Sequence, residues 1–258
     1  MDQLNEAINK TREYGRKYGV EYSKRVIKER LISGAVFNEK LINRALEKLR
    51  INNYELKIKN KNNKIVKTKE VVKLIEKFFP NILLVGITGS VAAGYPKVDD
   101  DIDLMIVTRQ NRLWVTRLWL RIFVVLRGIP HRKYGKNEKG DEFCFNLWLE
   151  EDVLEIPQKR QNLKNAMDSI LMVPVLDRSG IYKKFIRENK WIGRYVATPY
   201  SRKSKVKSKK SKQRNETIFL NFINWLVYWP QKLYMKNKIK NGQVDLKRAF
   251  FHPDDKIG

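Results

Sequence analysis

The chain has 258 residues, and its 54 Lys and Arg against 28 Asp and Glu give a formal net charge of +26. Because 42% of the residues are hydrophobic, the chain can bury a core, which excludes wholesale disorder. No apolar run is long enough to span a bilayer, and the amino terminus lacks the apolar stretch of a secretory signal. A single cysteine excludes an intramolecular disulfide and a multi-cysteine zinc site. We therefore expect a soluble, cytoplasmic protein with no transmembrane segment, whose oligomeric state the sequence does not indicate.

The positive charge has two interpretations. It matches an acidic partner such as RNA, a nucleoside triphosphate or an anionic membrane surface. It also fits a coding bias toward Lys and Asn, visible in stretches such as KNKNNK, in which case no function depends on the charge. Charge alone does not choose between these interpretations.

The amino-terminal segment, residues 1–68, predicts helices followed by a hairpin. Apolar residues recur at helical spacing in EYSKRVIKERLI and NEKLINRALEKLRI, and Asn38 is placed to cap the second of these helices. Residues 54–58 then alternate apolar and charged side chains, NKNN supplies turn residues, and Ile65 and Val66 predict a second short strand. This order predicts a winged-helix-like segment, a shape that either binds nucleic acid or serves only for packing.

Residues 69–200 predict an α/β core. Short apolar runs alternate with helical periodicity, and such alternation is typical of a mixed sheet flanked by helices. The first helix is expected to end before Pro80, because proline disfavours helix in the residue before it. The predicted elements are a helix over 70–79, a strand over 82–88, a strand over 102–107, a helix over 112–127, a strand over 143–149, and helices over 158–172 and 182–189.

Two sets of large apolar side chains in this core are predicted to be buried. One set lies along the helix over 112–127 and is expected to cover the sheet. The other consists of tryptophans, interpreted as core residues rather than as platforms for stacking bases. The first set is Leu113, Leu118, Leu120, Val124 and Val125, and the second is Trp114, Trp119 and Trp148.

The remaining residues predict a basic linker and a helical extension. Ser201 to Arg214 holds eight Lys or Arg and no acidic residue, so residues 201–216 are predicted to be a solvated linker that can contact anions. Residues 217–258 begin with an aromatic helix that is expected to dock on the core, with a membrane-surface helix as the alternative. Its predicted stripe is Phe219, Phe222, Trp225, Tyr228, Trp229 and Tyr234.

The stretch ITGSVAAGYPKVDDDIDLMIV, Ile87 to Val107, carries the candidate chemistry. Because side chains alternate along a strand, Asp101 and Asp103 project to one side, while Ile102 and Leu104 enter the core. Two adjacent carboxylates repel each other, and a cation between them relieves the repulsion. Mg²⁺ or Mn²⁺ fits this need, since such ions prefer hard oxygen ligands and leave room for phosphate oxygens.

Gly89 and Ser90 stand between a buried strand and a short helix. Glycine allows the main chain to approach a ligand, the serine hydroxyl can donate a hydrogen bond, and free N–H groups at a helix start favour phosphate. We therefore predict that these two residues hold a triphosphate, while Asp101 and Asp103 hold the metal.

The motif G-S-x-A-x-G, followed by D-x-D eleven residues after the serine, resembles the DNA polymerase β-type nucleotidyltransferase superfamily. Further stretches over most of residues 35–258 are similar to uncharacterised bacterial nucleotidyltransferase-domain proteins. The resemblance implies transfer of a nucleoside monophosphate from an NTP to an acceptor hydroxyl with release of pyrophosphate. It implies Asp101 and Asp103 as catalytic metal ligands, and Gly89, Ser90 and Gly94 as nucleotide contacts.

Two departures from the family pattern bear on activity. At the position of the family's third carboxylate stands Asn146, whose amide can contact nucleotide or metal but cannot act as a base. Glu142 shares its strand parity and is the candidate substitute as catalytic base. Ala93 replaces an arginine found in many small members, a contact that Lys97 or Arg109 is expected to supply.

These observations leave two functions open. The first is a Mg²⁺-dependent nucleotidyltransferase whose acceptor is RNA, a protein or a small molecule. The second is a catalytically degenerate nucleotidyltransferase fold that binds an NTP or nucleic acid, which Asn146 favours. The retained pair Asp101 and Asp103 favours the enzyme, because a scaffold has no physical reason to keep two carboxylates on a buried strand.

Overall fold

The computed structural model describes residues 2–49, 51, 59–133, 140–197, 218–236 and 243–251. The chain forms two compact units. The first contains Met1–Ile58, Ile156–Ile170 and Asn189–Lys203, and the second contains Lys59–Glu155, Leu171–Glu188 and Ser204–Gly258. The predicted core over 69–200 therefore contributes residues to both units.

Helices and strands alternate over the middle of the chain, from Lys59 to Glu188. The helices are α1 (Asp2–Lys17), α2 (Lys24–Glu29), α3 (Glu39–Lys48), α4 (Lys59–Phe78), α5 (Gly89–Ala93), α6 (Leu113–Leu126), α7 (Leu163–Leu171), α8 (Ile181–Glu188) and α9 (Ile218–Lys236). The strands are β1 (Ile82–Ile87), β2 (Ile102–Thr108), β3 (Phe143–Glu150), β4 (Val173–Asp177), β5 (Gln243–Val244) and β6 (Arg248–Phe250).

The first unit is mainly helical. Ile8 of α1 and Ile27 of α2 are fully buried, and α1 contacts both α2 and α3. Thr11 accepts a hydrogen bond from the backbone N–H of Ile32 at 2.9 Å, and Ile32 also forms a β-bridge with Val196. These contacts join the amino-terminal helices to the later segment of the same unit.

The second unit contains a six-stranded mixed sheet in the order β4-β1-β2-β3-β6-β5. Strands β2 and β3 pair in parallel, and the other neighbours pair antiparallel. All six residues of β1 are buried, as expected for a central strand covered on both faces. The predicted α/β class, with a mixed sheet flanked by helices, is confirmed.

The ends of the elements follow local sequence signals. Strands β1, β2 and β3 match their predicted ranges within one residue. Asn38 caps α3 as predicted, because its side chain accepts a hydrogen bond from the N–H of Lys40 at 2.8 Å. Strands β4, β5 and β6 were not predicted, since Pro174 interrupts the strand pattern of the first and the other two are very short.

The predicted second strand of the amino-terminal hairpin is wrong. Ile65 and Val66, and the NKNN turn before them, lie inside α4. Lys64 and Val72 are both buried, and their spacing of two helical turns places them on one face of this helix. The predicted first strand, 54–58, falls outside the described residues, so no wing is formed within the described part of this segment.

The predicted burial of apolar side chains along α6 is correct for one face of the helix and wrong for another. Leu113, Leu120 and Val124 are fully buried. Leu118 and Val125, predicted to cover the sheet, and Trp119, predicted in the core, are exposed. The other two tryptophans of that set, at positions 114 and 148, are buried as predicted.

Helix α9 packs on α6 through a different face from the predicted aromatic stripe. Tyr228 is buried and its ring lies 5.0 Å from that of Trp114, whereas the other described aromatic residues of the stripe are exposed. The side chain of Phe219 and the predicted linker, 201–216, lie outside what the structure describes. None of the described helices is both long and apolar enough to cross a membrane.

Candidate functional site

The turn between β1 and α5 brings the main chain against a carboxylate. Gly89 has φ +64°, and a Cβ added there would lie 2.4 Å from Oδ2 of Asp103. Only glycine combines this backbone conformation with such a close approach. The N–H of Thr88 also donates to the carbonyl of Asp103 at 2.9 Å, which fixes β2 against the turn. The sequence signal at Gly89 therefore corresponds to a real steric requirement.

Asp101, Asp103 and Cys144 form a cluster in which one potential ligand atom of each residue lies within 4.8 Å of the others. Asp101 is 8% exposed and Asp103 is half-buried. The register of the parallel pair β2 and β3 sets Asp103 opposite Cys144. As predicted from strand alternation, the two carboxylates project to the same side.

Each carboxylate of the cluster has a hydrogen-bond donor. Arg132 donates from Nη1 to Oδ2 of Asp101 at 3.0 Å, and Asn146 donates from Nδ2 to Oδ1 of Asp103 at 2.7 Å. Both donors lower the cost of holding two carboxylates together in a partly buried place. The other amide atom of Asn146, Oδ1, is buried and has no hydrogen-bond partner. An unpaired buried oxygen is costly, so it is a candidate ligand atom.

Asn146 lies at an irregularity in β3. Leu104 pairs with Phe145, but the next residue, Met105, pairs with Leu147, so Asn146 is an extra residue on its strand. Its amide contacts Asp103, so the predicted position of Asn146 on the face of the two carboxylates is observed.

Cys144 is part of the cluster in its thiol form. It is 5% exposed, and burial, followed by the negative charges of Asp103 and Asp101, raises the pKa of its thiol well above the ordinary value. A protonated thiol is neither a strong nucleophile nor a ligand for a hard cation. In the metal-free protein Cys144 is therefore a small buried side chain and not a nucleophile.

Ser90 and Lys97 contact the neighbouring loop. The hydroxyl of Ser90 donates to Oδ2 of Asp100 at 2.6 Å, and the backbone N–H of Lys97 donates to the same oxygen at 2.9 Å. Asp100 therefore closes the loop before β2. The side chain of Lys97 is exposed, and Gly94, with φ +97°, ends α5 in the left-handed conformation.

Lys64 of α4 also binds this loop. Its ammonium donates to the carbonyls of Val98 and Asp100 at 3.3 and 2.6 Å, and to Oδ1 of Asp141 at 2.8 Å. Its side chain is 3% exposed, so all three bonds are made in a desolvated place. Hydrogen bonds from Lys64 and Lys67 lower the pKa of the Asp141 carboxyl. This anchor positions the residues that lead into Asp101.

Two predicted residues do not reach the cluster. Glu142, proposed as the substitute base, is half-buried just before β3, and its carboxylate is not a member of the group formed by Asp101, Asp103 and Cys144. Arg109 follows the opposite end of β2, about 20 Å from Asp103 by strand rise. Arg109 therefore cannot replace a triphosphate contact at this site.

Sequence reasoning missed Arg132, Cys144 and Lys64 as parts of this site. Arg132 lies outside any strand pattern in the sequence, but a β-bridge beside it, between His131 and Phe143, brings its side chain next to Asp101. The alternation of β3 carries a usable signal, because it places Cys144 and Asn146 on one face. No comparable signal exists for Lys64 within its polar stretch.

Comparisons with known proteins give no relative for this chain. No family, no curated protein and no solved structure matches it.

Proposed function

We propose that the chain is a Mg²⁺-dependent nucleotidyltransferase that moves a nucleoside monophosphate from an NTP to an acceptor hydroxyl. The observation that carries the proposal is the convergence of Asp101 and Asp103 beside the glycine turn at Gly89. A cation stabilises two carboxylates held together at the start of a buried strand, and the glycine turn lets the main chain lie next to them. The resemblance of this segment to the polymerase β-type motif supports the same chemistry.

The donor set of the cluster fits a hard divalent cation. Asp101 and Asp103 offer carboxylate oxygens, and Asn146 offers its unpaired amide oxygen, all of which are ligand types that Mg²⁺ accepts. Cys144 offers only sulfur, a soft ligand that Mg²⁺ does not prefer. When bound there, Mg²⁺ would offset the negative charge of the phosphate oxygens.

In the proposed reaction, an oxygen–phosphorus bond forms between the acceptor hydroxyl and the α-phosphorus of the NTP. The bond from the α-phosphorus to the bridging oxygen breaks, and pyrophosphate leaves with that oxygen. Asn146 cannot accept the hydroxyl proton, and neither can the protonated Cys144. With Glu142 outside the cluster, the proton passes to water, and the protein contributes mainly positioning and charge stabilisation.

A thermal-shift titration tests the donor site. Each NTP is added with Mg²⁺ to the wild type and to the Asp101→Asn, Asp103→Asn variant, since a ligand of the folded state raises the melting temperature. We expect at least one NTP to raise it by about 5 °C near saturation in the wild type only. Asp99→Asn is the matched control, because Asp99 is an exposed carboxylate of the same acidic run and lies outside the cluster. Equal shifts in the double variant would refute the assignment.

A second candidate function is a nucleotide-binding module without catalysis. The observation that favours it is that Arg132 and Asn146 already provide donors to both carboxylates without an added cation. This module would bind NTP with little dependence on Mg²⁺ and release no pyrophosphate. A pyrophosphate-release assay with RNA, protein and small hydroxyl acceptors therefore separates the two functions.

A further inference from the structure

Helix α9 packs with its polar side inward. Oδ1 of Asn224 accepts hydrogen bonds from the backbone N–H groups of Trp114 and Val115 at 2.9 and 3.2 Å, at the start of α6. Gln231 donates to the carbonyl of Trp114 at 3.0 Å. Asn224 is 2% exposed, so an amide occupies the place where a helix of a globular core usually puts an aliphatic side chain.

The opposite side of α9 is apolar and faces outward. At 100° per residue, its five members all fall within about 60° of one line along the helix. None of the five is less than 45% exposed. We call this set the outer stripe, and its members are Phe222, Trp225, Leu226, Trp229 and Leu233.

Helix α6, which packs against α9, also has large apolar side chains on its exposed side. Leu118, Trp119, Ile122, Val125 and Leu126 are exposed on the side away from its buried residues, and Leu126 is 79% exposed. An apolar groove of about 360 Å³ runs between this side of α6 and the end of α4. Two neighbouring helices therefore both leave large apolar and aromatic side chains in water, more than the scattered exposed residues of an ordinary surface.

The charged residues of the two helices all have one sign. Neither α6 nor α9 contains an acidic residue. The ammonium of Lys232 lies 5.2 Å from the ring centre of the exposed Trp229, and the guanidinium of Arg127 lies 5.5 Å from that of the half-buried Phe123. Cations next to aromatic rings at a surface are typical of helices that lie in the headgroup region of a bilayer.

The net charge bears on which partner covers the surface. A second copy of the chain would bring another +26 charges to the interface, which opposes self-association. An anionic bilayer instead attracts the flanking cations and accepts the apolar side chains. In the sequence, the eight Lys or Arg of Ser201 to Arg214 directly precede α9 and add to this attraction.

We propose that the outer stripe of α9 docks the protein on an anionic lipid bilayer surface. The side chains of Trp225 and Trp229 enter the interfacial region, Leu226 and Leu233 reach the acyl chains, and Lys232 contacts the headgroups. The polar inner side of α9 stays bonded to α6, so docking requires no rearrangement of the core.

Vesicle co-sedimentation of the full chain tests this surface. Vesicles of phosphatidylcholine alone and of phosphatidylcholine with phosphatidylglycerol are compared at physiological salt, with wild type and a Leu226→Gln, Leu233→Gln variant. We expect binding to the anionic vesicles only, and a partition coefficient lowered about tenfold or more in the variant. Leu41→Gln, Leu49→Gln is the matched control, because these leucines are also exposed but lie in the other unit. All variants should keep the wild-type melting temperature, since the substituted side chains are already solvated.

Three results would overturn the proposal. The first is no sedimentation of the wild type with anionic vesicles. The second is equal binding of the stripe variant, which would reduce the interaction to attraction between unlike charges. The third is a wild type that light scattering shows to be a dimer and that the stripe variant converts to a monomer, which would assign the surface to a second copy.

Discussion

The two ends of the parallel pair β2 and β3 both hold carboxylates, and they use them differently. At the end where these strands terminate, Glu150 is completely buried, and its Oε1 accepts hydrogen bonds from the N–H groups of Arg112 and Leu113 at 3.1 and 3.2 Å. It thereby caps the amino terminus of α6. At the end where the strands begin, Asp101 and Asp103 form the cluster with Cys144. A carboxylate that caps a helix is thus separated by one strand length from two carboxylates that lie close to each other.

The largest contrast is expected when each end is substituted separately. Asp103→Asn should lower magnesium-dependent nucleotidyl transfer about a thousandfold, because a metal ligand is lost, and leave stability near that of the wild type. Glu150→Ala should do the reverse, since it removes the acceptor for two buried N–H groups and costs about 2 kcal/mol of unfolding free energy. Pyrophosphate release and urea denaturation measure the two effects. If Asp103→Asn keeps a tenth of the wild-type rate of pyrophosphate release, the proposed role of Asp103 as a metal ligand is wrong.

The contrast also shows what could be predicted from the sequence. The apolar runs of β1, β2 and β3 are long enough to be recognised locally, and strand alternation then places Asp101, Asp103 and Asn146 on one face. The two cations that bind the cluster and the loop before it are not local in this sense. Arg132 is 31 residues from Asp101, and Lys64 lies 36 residues before Asp100, so no period in the chain connects them.

The errors have the same origin. Ile65 and Val66 resemble a strand when only their neighbours are considered, but the burial of Lys64 against a loop far away in the chain selects the helix. For α9, the usual rule that aromatic residues face the core predicted that the aromatic stripe packs against the rest of the protein. The hydrogen bonds of Asn224 to a helix start 110 residues earlier reverse that orientation.

The second prediction concerns how the free energy of unfolding depends on pH, which tests Glu150 separately from the cluster. Burial raises the pKa of Glu150 from an ordinary 4.5 to about 7, so between these values the folded protein keeps a proton that the unfolded chain releases. Stability therefore falls as the pH rises from about 4.5 to about 7, by up to about 3 kcal/mol in total. In Glu150→Gln, this part of the pH dependence should vanish. Glu155→Gln, which replaces an exposed carboxylate, should leave the profile unchanged. The measurement is urea denaturation across this pH range, and identical profiles for Glu150→Gln and wild type would refute the assignment.

The third prediction concerns the close approach of Gly89 to the carboxylate of Asp103. Gly89 and Gly128 both have positive φ, at +64° and +62°, but only Gly89 has a neighbour that an added Cβ would meet. Gly128→Ala should cost about 1 kcal/mol from backbone strain alone. Gly89→Ala should cost about 2 kcal/mol or more, because the Asp103 carboxylate must also move, and it should abolish stabilisation by NTP with Mg²⁺. Equal costs in denaturant titrations of the two variants would show that Asp103 yields without penalty.

The smallest effect is expected at Cys144, which shares the cluster with the two carboxylates. In the metal-free protein, burial and the charges of Asp103 and Asp101 raise the pKa of its thiol, and sulfur is a ligand that a hard cation does not prefer. Cys144→Ser should therefore change the Mg²⁺ concentration needed for half-maximal thermal stabilisation by less than about twofold, whereas loss of a true ligand shell member costs about tenfold or more. Titration of Mg²⁺ at fixed NTP decides between these values. A tenfold loss would make the cluster a mixed sulfur and oxygen site, which would favour a softer metal than magnesium and weaken the case for phosphoryl chemistry at this end of the sheet.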